Sequence, residues 1–217
     1  MKGISGVRAR LLGVSLVGAA MVAAPASARA DEVFFAGSTM GAFNGAPLGT
    51  TEAFQGLVYR SSTFAGTTSA GFLAIGAEPN RPNFNNLGSI FLSGEPASYT
   101  GNTFQLMVTF TAPPGITGGN PATFNALLIG NVTSDNNGGV LFDFDNTPRV
   151  FTFGSGATAG TFTFQVNDVS VNPGKEVAIT GQIISATQTT VPEPASMTLL
   201  ATGLAGMAAA ARRRKQR

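Results

Sequence analysis

The chain of 217 residues contains no cysteine, no histidine and no tryptophan. Without cysteine there is no disulfide, so stability has to come from buried apolar surface. Without histidine the commonest general base, the usual activator of a serine or cysteine nucleophile and the usual zinc ligand are all missing. Neither a Ser-His-Asp nor a Cys-His site can be assembled. Tyrosine occurs only at Tyr59 and Tyr99. Charge is scarce and unevenly placed. Of the 13 basic residues, Lys2, Arg8, Arg10 and Arg29 lie near the N-terminus, and Arg212, Arg213, Arg214, Lys215 and Arg217 lie at the C-terminus. Residues 31–190 hold four basic and ten acidic residues, a net charge of −6, against +2 for the whole chain. That middle region is too acidic to suit a nucleic-acid partner.

What is present at the N-terminus is an export signal. Lys2, Arg8 and Arg10 precede Leu11–Ala24, an apolar run of 14 residues. Ala26-Ser27-Ala28 and Ala28-Arg29-Ala30 then both fit a small-x-small cleavage site. Residues 1–30 read as a secretory signal peptide handled by the general secretion machinery, with cleavage expected after Ala30 and after Ala28 as the alternative. Arg8 and Arg10 are not adjacent, which sets aside a twin-arginine signal.

The C-terminus is equally distinctive. Val191-Pro192-Glu193-Pro194 cannot continue a strand or enter a helix interior, because proline fixes φ and lacks an N–H. Val191 and Glu193, each preceding a proline, are biased to extended backbone. The 17 residues Ala195–Ala211 that follow carry no charge. As a helix they reach about 25 Å, the short end of what crosses a hydrocarbon core of about 30 Å. Snorkelling of Arg212 lengthens that reach. The five positive charges of Arg212, Arg213, Arg214, Lys215 and Arg217 hold this end on the cytoplasmic side. The sequence therefore predicts a transmembrane helix with a basic stop.

The Val191–Pro194 motif, the span containing Leu199-Leu200-Ala201-Thr202-Gly203-Leu204-Ala205-Gly206 and the Arg212–Lys215 cluster together resemble a PEP-CTERM protein-sorting signal. The resemblance covers residues 191–217. It implies recognition by an exosortase, a membrane-embedded cysteine protease-transpeptidase, with processing near the Pro-Glu-Pro motif. It also implies a Gram-negative bacterium that makes exopolysaccharide. On this reading Val191, Pro192, Glu193 and Pro194 are features of a substrate. The chain is expected to be anchored in the inner membrane first and to reach the cell surface or the extracellular matrix after processing.

Residues 31–190 are rich in Gly, Thr, Asn, Ser and Phe, a composition that favours short strands and tight turns over helix. Thr103–Thr111 alternates, with Phe104, Leu106, Val108 and Phe110 on one face. Thr161–Val166 does the same with Phe162, Phe164 and Val166. Glu176–Ser185 places Val177, Ile179 and Ile183 on one side. Further strands are expected at Phe54–Arg60, Phe72–Ile75, Gly88–Leu92, Phe124–Val132, Val140–Asp145 and Val150–Phe153. Turn signals separate them at Asn80–Asn83, Ser93–Pro96, Ala112–Gly115, Asp135–Gly139 and Asn172–Gly174. Asp135–Gly139 reads as the loop of a hairpin. This pattern predicts one all-β domain, an antiparallel β-sandwich over residues 31–190, with the phenylalanines as its core. The segment Thr103–Ile116 resembles segments of other exported β-domains that carry PEP-CTERM signals, which implies the fold and not an activity.

Few side chains offer chemistry. Asp143, Asp145 and Asn146 form the best cluster of oxygen ligands, of the kind that binds calcium weakly in extracellular modules. The segment lacks the spacing of an EF-hand loop, and a solvated strand face running into an Asx turn is the preferred reading. Asp143, Asp145, Asp168 and Glu176 are the carboxylates available for glycoside hydrolysis, and nothing in the sequence brings two of them to one cleft. Tyr59 and Tyr99 are the only natural candidates for aromatic glycan platforms, and half-buried strand or turn positions with solvated hydroxyls are the preferred reading of both. The sequence as a whole reads as a non-enzymatic surface or matrix protein without a cofactor, structural or adhesive in role. A calcium- or glycan-binding module is the alternative.

Overall fold

The computed structural model describes residues 31–76, 85–189, 202–207 and 212. Among these, the strands run in chain order as β1 (Phe34–Phe43), β2 (Thr51–Phe54), β3 (Leu57–Arg60), β4 (Thr63–Thr67), β5 (Leu73–Ile75), β6 (Ser89–Leu92), β7 (Ala97–Ser98) and β8 (Thr103–Ala112). They continue as β9 (Ala122–Val132), β10 (Gly138–Phe144), β11 (Arg149–Phe153), β12 (Gly160–Val166), β13 (Val169–Val171), β14 (Lys175–Ala178) and β15 (Gly181–Gln188). One 3-10 turn, Gly156–Thr158, interrupts them. Every strand pairing is antiparallel, and the fold is all-β.

The strands form a large sheet and two smaller ones. The large sheet has the order β13-β10-β9-β8-β1-β4, with β7 pairing the far end of β9. The smaller ones are β11-β12-β15-β5 and β14-β6-β3-β2. Phenylalanine rings join them. From the large sheet, Phe110 meets Phe151, Phe162 and Phe164 at centroid distances of 5.5, 5.1 and 5.2 Å. Phe35 lies 4.8 Å from Phe162, and Phe124 5.4 Å from Phe164. Toward the other small sheet, Phe104 packs 5.3 Å from Tyr59, and Phe43 5.8 Å from Phe54. Most of these pairs are edge-on or tilted, the arrangement that the ring quadrupole favours. Phe104, Leu106, Val108 and Phe110 are all buried, as the alternation of β8 predicts. So are Phe162, Phe164 and Val166 on β12.

Two expected strands are each broken in two. Phe54–Arg60 contains a two-residue turn, because Gln55 (φ 47°) and Gly56 (φ 81°) both take left-handed backbone, the type I′ geometry of a tight hairpin. Glu176–Ser185 breaks at Ile179 and Thr180, where the chain leaves β6 and joins β12. Gly181 makes that crossing close, since a Cβ there would lie 2.8 Å from the Gln165 carbonyl oxygen and 2.8 Å from Leu87 Cδ1. Ile179 and Ile183 are both buried but sit on different sides of the break. Thr133–Asn137 closes the β9–β10 hairpin, as expected from Asp135–Gly139. The expected turn at Asn80–Asn83 lies outside the described residues, as does the signal peptide at 1–30.

Phe162 touches four other rings and is 1% exposed. Phe162→Ala should lower unfolding stability by about 3–5 kcal/mol. Thr161→Ala, on the exposed face of the same strand, should cost less than about 0.5 kcal/mol. Urea unfolding of the two variants checks the contrast.

Candidate functional site

Strand β10 carries the acidic cluster. Phe142 and Phe144 point into the core, so Asp143 and Asp145 fall on the outward side. Asp143 stands opposite Leu127 of β9. Together with Asp145, Thr103, Asn125 and Leu127 it lines an open groove on the large sheet. Just past the strand, Asp145 Oδ1 accepts hydrogen bonds from Thr147 N (3.1 Å) and Thr147 Oγ1 (2.6 Å). This is an Asx turn, in which the side chain imitates a backbone turn. The two donors hold the Asp145 carboxyl below its ordinary value.

Asn146 turns the other way. Its Nδ2 donates to Asp168 Oδ2 at 3.1 Å, while Phe144 N donates to Asp168 Oδ1 at 2.9 Å. Asp168, from the loop between β12 and β13, therefore ties down the end of β10. Residue spacing gives no sign of this, because Asp168 lies 22 positions beyond Asn146. Asp145 and Asn146 are thus engaged in two separate hydrogen-bond groups. Glu176 is elsewhere again, on β14, where its Oε1 accepts from Arg60 Nη1 at 3.1 Å and from Ser89 Oγ at 2.7 Å. Among the described residues no group of three or more His, Cys, Asp or Glu side chains is placed to hold a metal ion.

The tyrosines are not glycan platforms. Tyr59 and Tyr99 are both fully buried, deeper than the half-buried positions with solvated hydroxyls expected for them. Tyr59 Oη donates to Thr39 Oγ1 at 2.8 Å, and Thr39 Oγ1 also accepts from Ser62 N at 3.2 Å. Tyr99 Oη donates to the Gln55 carbonyl. Burial pushes the Tyr59 phenol far above its ordinary range, and it does the same more mildly for Tyr99, with Glu95 adding to the rise. These residues fasten the β1–β4 connection and the β2–β3 turn. The sequence alternation around Tyr59 carries the signal for burial, since Leu57 and Tyr59 are both inward on β3.

At the C-terminal side, hydrogen bonding of the domain continues through β15 to Thr189, whose N–H donates to the Ala159 carbonyl at 2.7 Å. Val191, Pro192, Glu193 and Pro194 lie outside the described residues. Of the expected span, residues 202–207 are helical and exposed. Among the described residues no helix is long and apolar enough to cross a membrane. Of the basic tail, Arg212 is described and exposed, while Arg213, Arg214, Lys215 and Arg217 lie outside.

Two outcomes test this geometry. In a carboxylate NMR titration, Asp145 should titrate below an ordinary aspartate, and Thr147→Val should bring it back toward the ordinary value. Because the folded-state value is depressed, the stabilisation is in place above the unfolded-state pKa and is lost as pH falls through the folded one. Separately, alkaline titration should yield no tyrosinate absorbance from Tyr59 until the protein unfolds, while Tyr59→Phe should cost about 0.5–1.5 kcal/mol in urea unfolding.

Compared with known proteins, residues 190–215 match the family model of the PEP-CTERM protein-sorting motif. No curated protein and no solved structure matches the chain. The described hydrogen bonding of the domain reaches Thr189, next to the matched segment. The match bears out the resemblance drawn from Val191–Pro194 and the basic end, and it supports the reading of the chain as a PEP-CTERM protein and exosortase substrate.

Proposed function

We propose that the chain is an exported, non-enzymatic surface or matrix protein that an exosortase processes near Pro192–Pro194. The observation that carries this is the sorting motif at residues 190–215. In this reading residues 1–30 direct secretion and Ala195–Ala211 anchors the chain in the inner membrane. Arg212, Arg213, Arg214, Lys215 and Arg217 stop its transfer, and the domain of residues 31–190 is the delivered product. The three sheets act as a β-sandwich, the large sheet on one side and the two small ones on the other, which the ring contacts across them support. The role proposed for it is structural or adhesive, in contact with exopolysaccharide. Its acidic, hydroxyl- and amide-rich surface suits a hydrated neutral matrix. Cross-strand pairs such as Thr161–Thr187 (3.2 Å) and Ser185–Thr163 (3.2 Å) put uncharged hydroxyls on the outer face of β12 and β15.

The test is intact-mass analysis in the native host. Replacing Pro192, Glu193 and Pro194 by Ala should leave the full tail on the protein and retain it in the membrane fraction. A mature mass that equals the wild type, apart from the substitutions, would show that processing does not depend on the motif.

A further inference from the structure

The two ends of the delivered domain meet at one pole. The Asp31 carbonyl accepts hydrogen bonds from Gly71 N (3.0 Å) and Thr68 Oγ1 (2.6 Å). Gly71 in turn lies against the last strand, close enough that a Cβ on it would sit 3.0 Å from the Ala186 carbonyl oxygen. Ala186 is three residues before Thr189, where the described domain ends. Ser69 and Phe72 bracket Ala70 (φ 51°) and Gly71 (φ 78°), a tight turn that projects at this pole.

The same pole carries exposed apolar side chains. Phe34 is 52% exposed and directly follows Val33, whose carbonyl accepts from Thr68 N at 2.9 Å. Phe72 is 46% exposed and directly follows Gly71. Ile184, 39% exposed, is two residues before Ala186. Phe34 and Phe72 are each covalently next to a group that makes the junction of the two chain ends, and Ile184 is two residues from one. The chain buries most of its other rings, so two exposed phenylalanines at one end of the domain stand out.

The chain beyond the domain says what this pole faces. From Thr189 to Ala195 there are six peptide steps, which span about 20 Å when fully extended. While Ala195–Ala211 is held in a bilayer, the pole that bears Thr189 stays within that distance of the lipid. Tethering turns a weak apolar contact into an intramolecular one, with an effective concentration on the order of millimolar. We propose that the anchored domain stands with this pole down, and that Phe34 and Phe72 dip into the lipid surface beside the processing motif. The inference rests on the anchored stage of the proposed function. The domain's net charge of −6 opposes anionic lipid, so the contact is apolar in kind and is made with zwitterionic lipid.

The absence of tryptophan provides a clean probe. The full chain, exported in a host without an exosortase so that the tail is kept, is reconstituted into phosphatidylcholine bilayers with spin-labelled acyl chains. Phe34→Trp and Phe72→Trp each place a single reporter at the pole. Leu127→Trp is the control, being exposed and paired with Thr103 at the opposite end of β8. The pole reporters should be quenched several-fold more than the control. Equal quenching of all three in a carbonate-resistant, anchored chain overturns the pole-down arrangement and leaves the anchoring intact. A chain that washes off in carbonate overturns both. Emission that shifts with protein density but is not quenched by the lipid label assigns the patch to a second copy and also overturns the proposal.

Discussion

Everything in this fold rests on aromatic rings that meet between sheets. With no disulfide and no metal-binding histidine, the three sheets are held chiefly by burial, and the residue that supplies most of it is phenylalanine. Phe110 is the hinge of this arrangement. It reaches Phe64 on its own sheet and Phe151, Phe162 and Phe164 on the neighbouring one. Phe104 plays the same part on the other side, touching Phe43, Tyr59, Phe142 and Phe144. A flat ring needs only two χ angles fixed, so each contact is gained at a low cost in side-chain entropy compared with a long aliphatic chain. That leaves the outward positions free to be threonine, serine, asparagine and glutamine, and the surface to carry little charge.

The sequence makes some elements plain and hides others for identifiable reasons. β8, β9, β10 and β12 stand out because large apolar side chains alternate with small polar ones, so the period of two is visible by eye. β1 is hidden, although it lies between β8 and β4 in the large sheet. Its inward positions include Gly37 and Gly41, which have no side chain to mark the pattern. Glycine is there because a Cβ at Gly37 would strike the Phe64 ring and one at Gly41 the Tyr59 ring. The aromatic core thus erases the periodicity of the strand beneath it. β4 and β13 are short and rely on neighbours that the sequence alone does not reveal.

The chemistry-bearing residues show the same division. Asp145 next to Thr147 is legible, because an Asx turn is made within three residues. The bonds from Phe144 and Asn146 to Asp168 are not, since they depend on how β10 and the β12–β13 loop are brought side by side. The tyrosines are misleading when composition alone is considered: two isolated aromatic hydroxyls look available, yet the register of β3 turns Tyr59 inward and Tyr99, just past β7, is buried with its hydroxyl on the β2–β3 turn. The sorting motif is legible because it lies in one continuous stretch of sequence, residues 190–215.

The strand order also sets a timetable. β5 is paired by β15 and, among the described residues, by no other strand, while β6 is completed by β14. A polypeptide threaded across a membrane from its N-terminus delivers β15 last, immediately before Pro192. The early strands must therefore wait, unpaired along these edges, until nearly the whole domain has emerged. Contacts of such long sequence separation form slowly. On the anchored reading proposed above, the basic tail holds the newly emerged chain at the membrane while β5 pairs with β15. In that reading the segment that addresses the protein also gives it a place to finish folding before release.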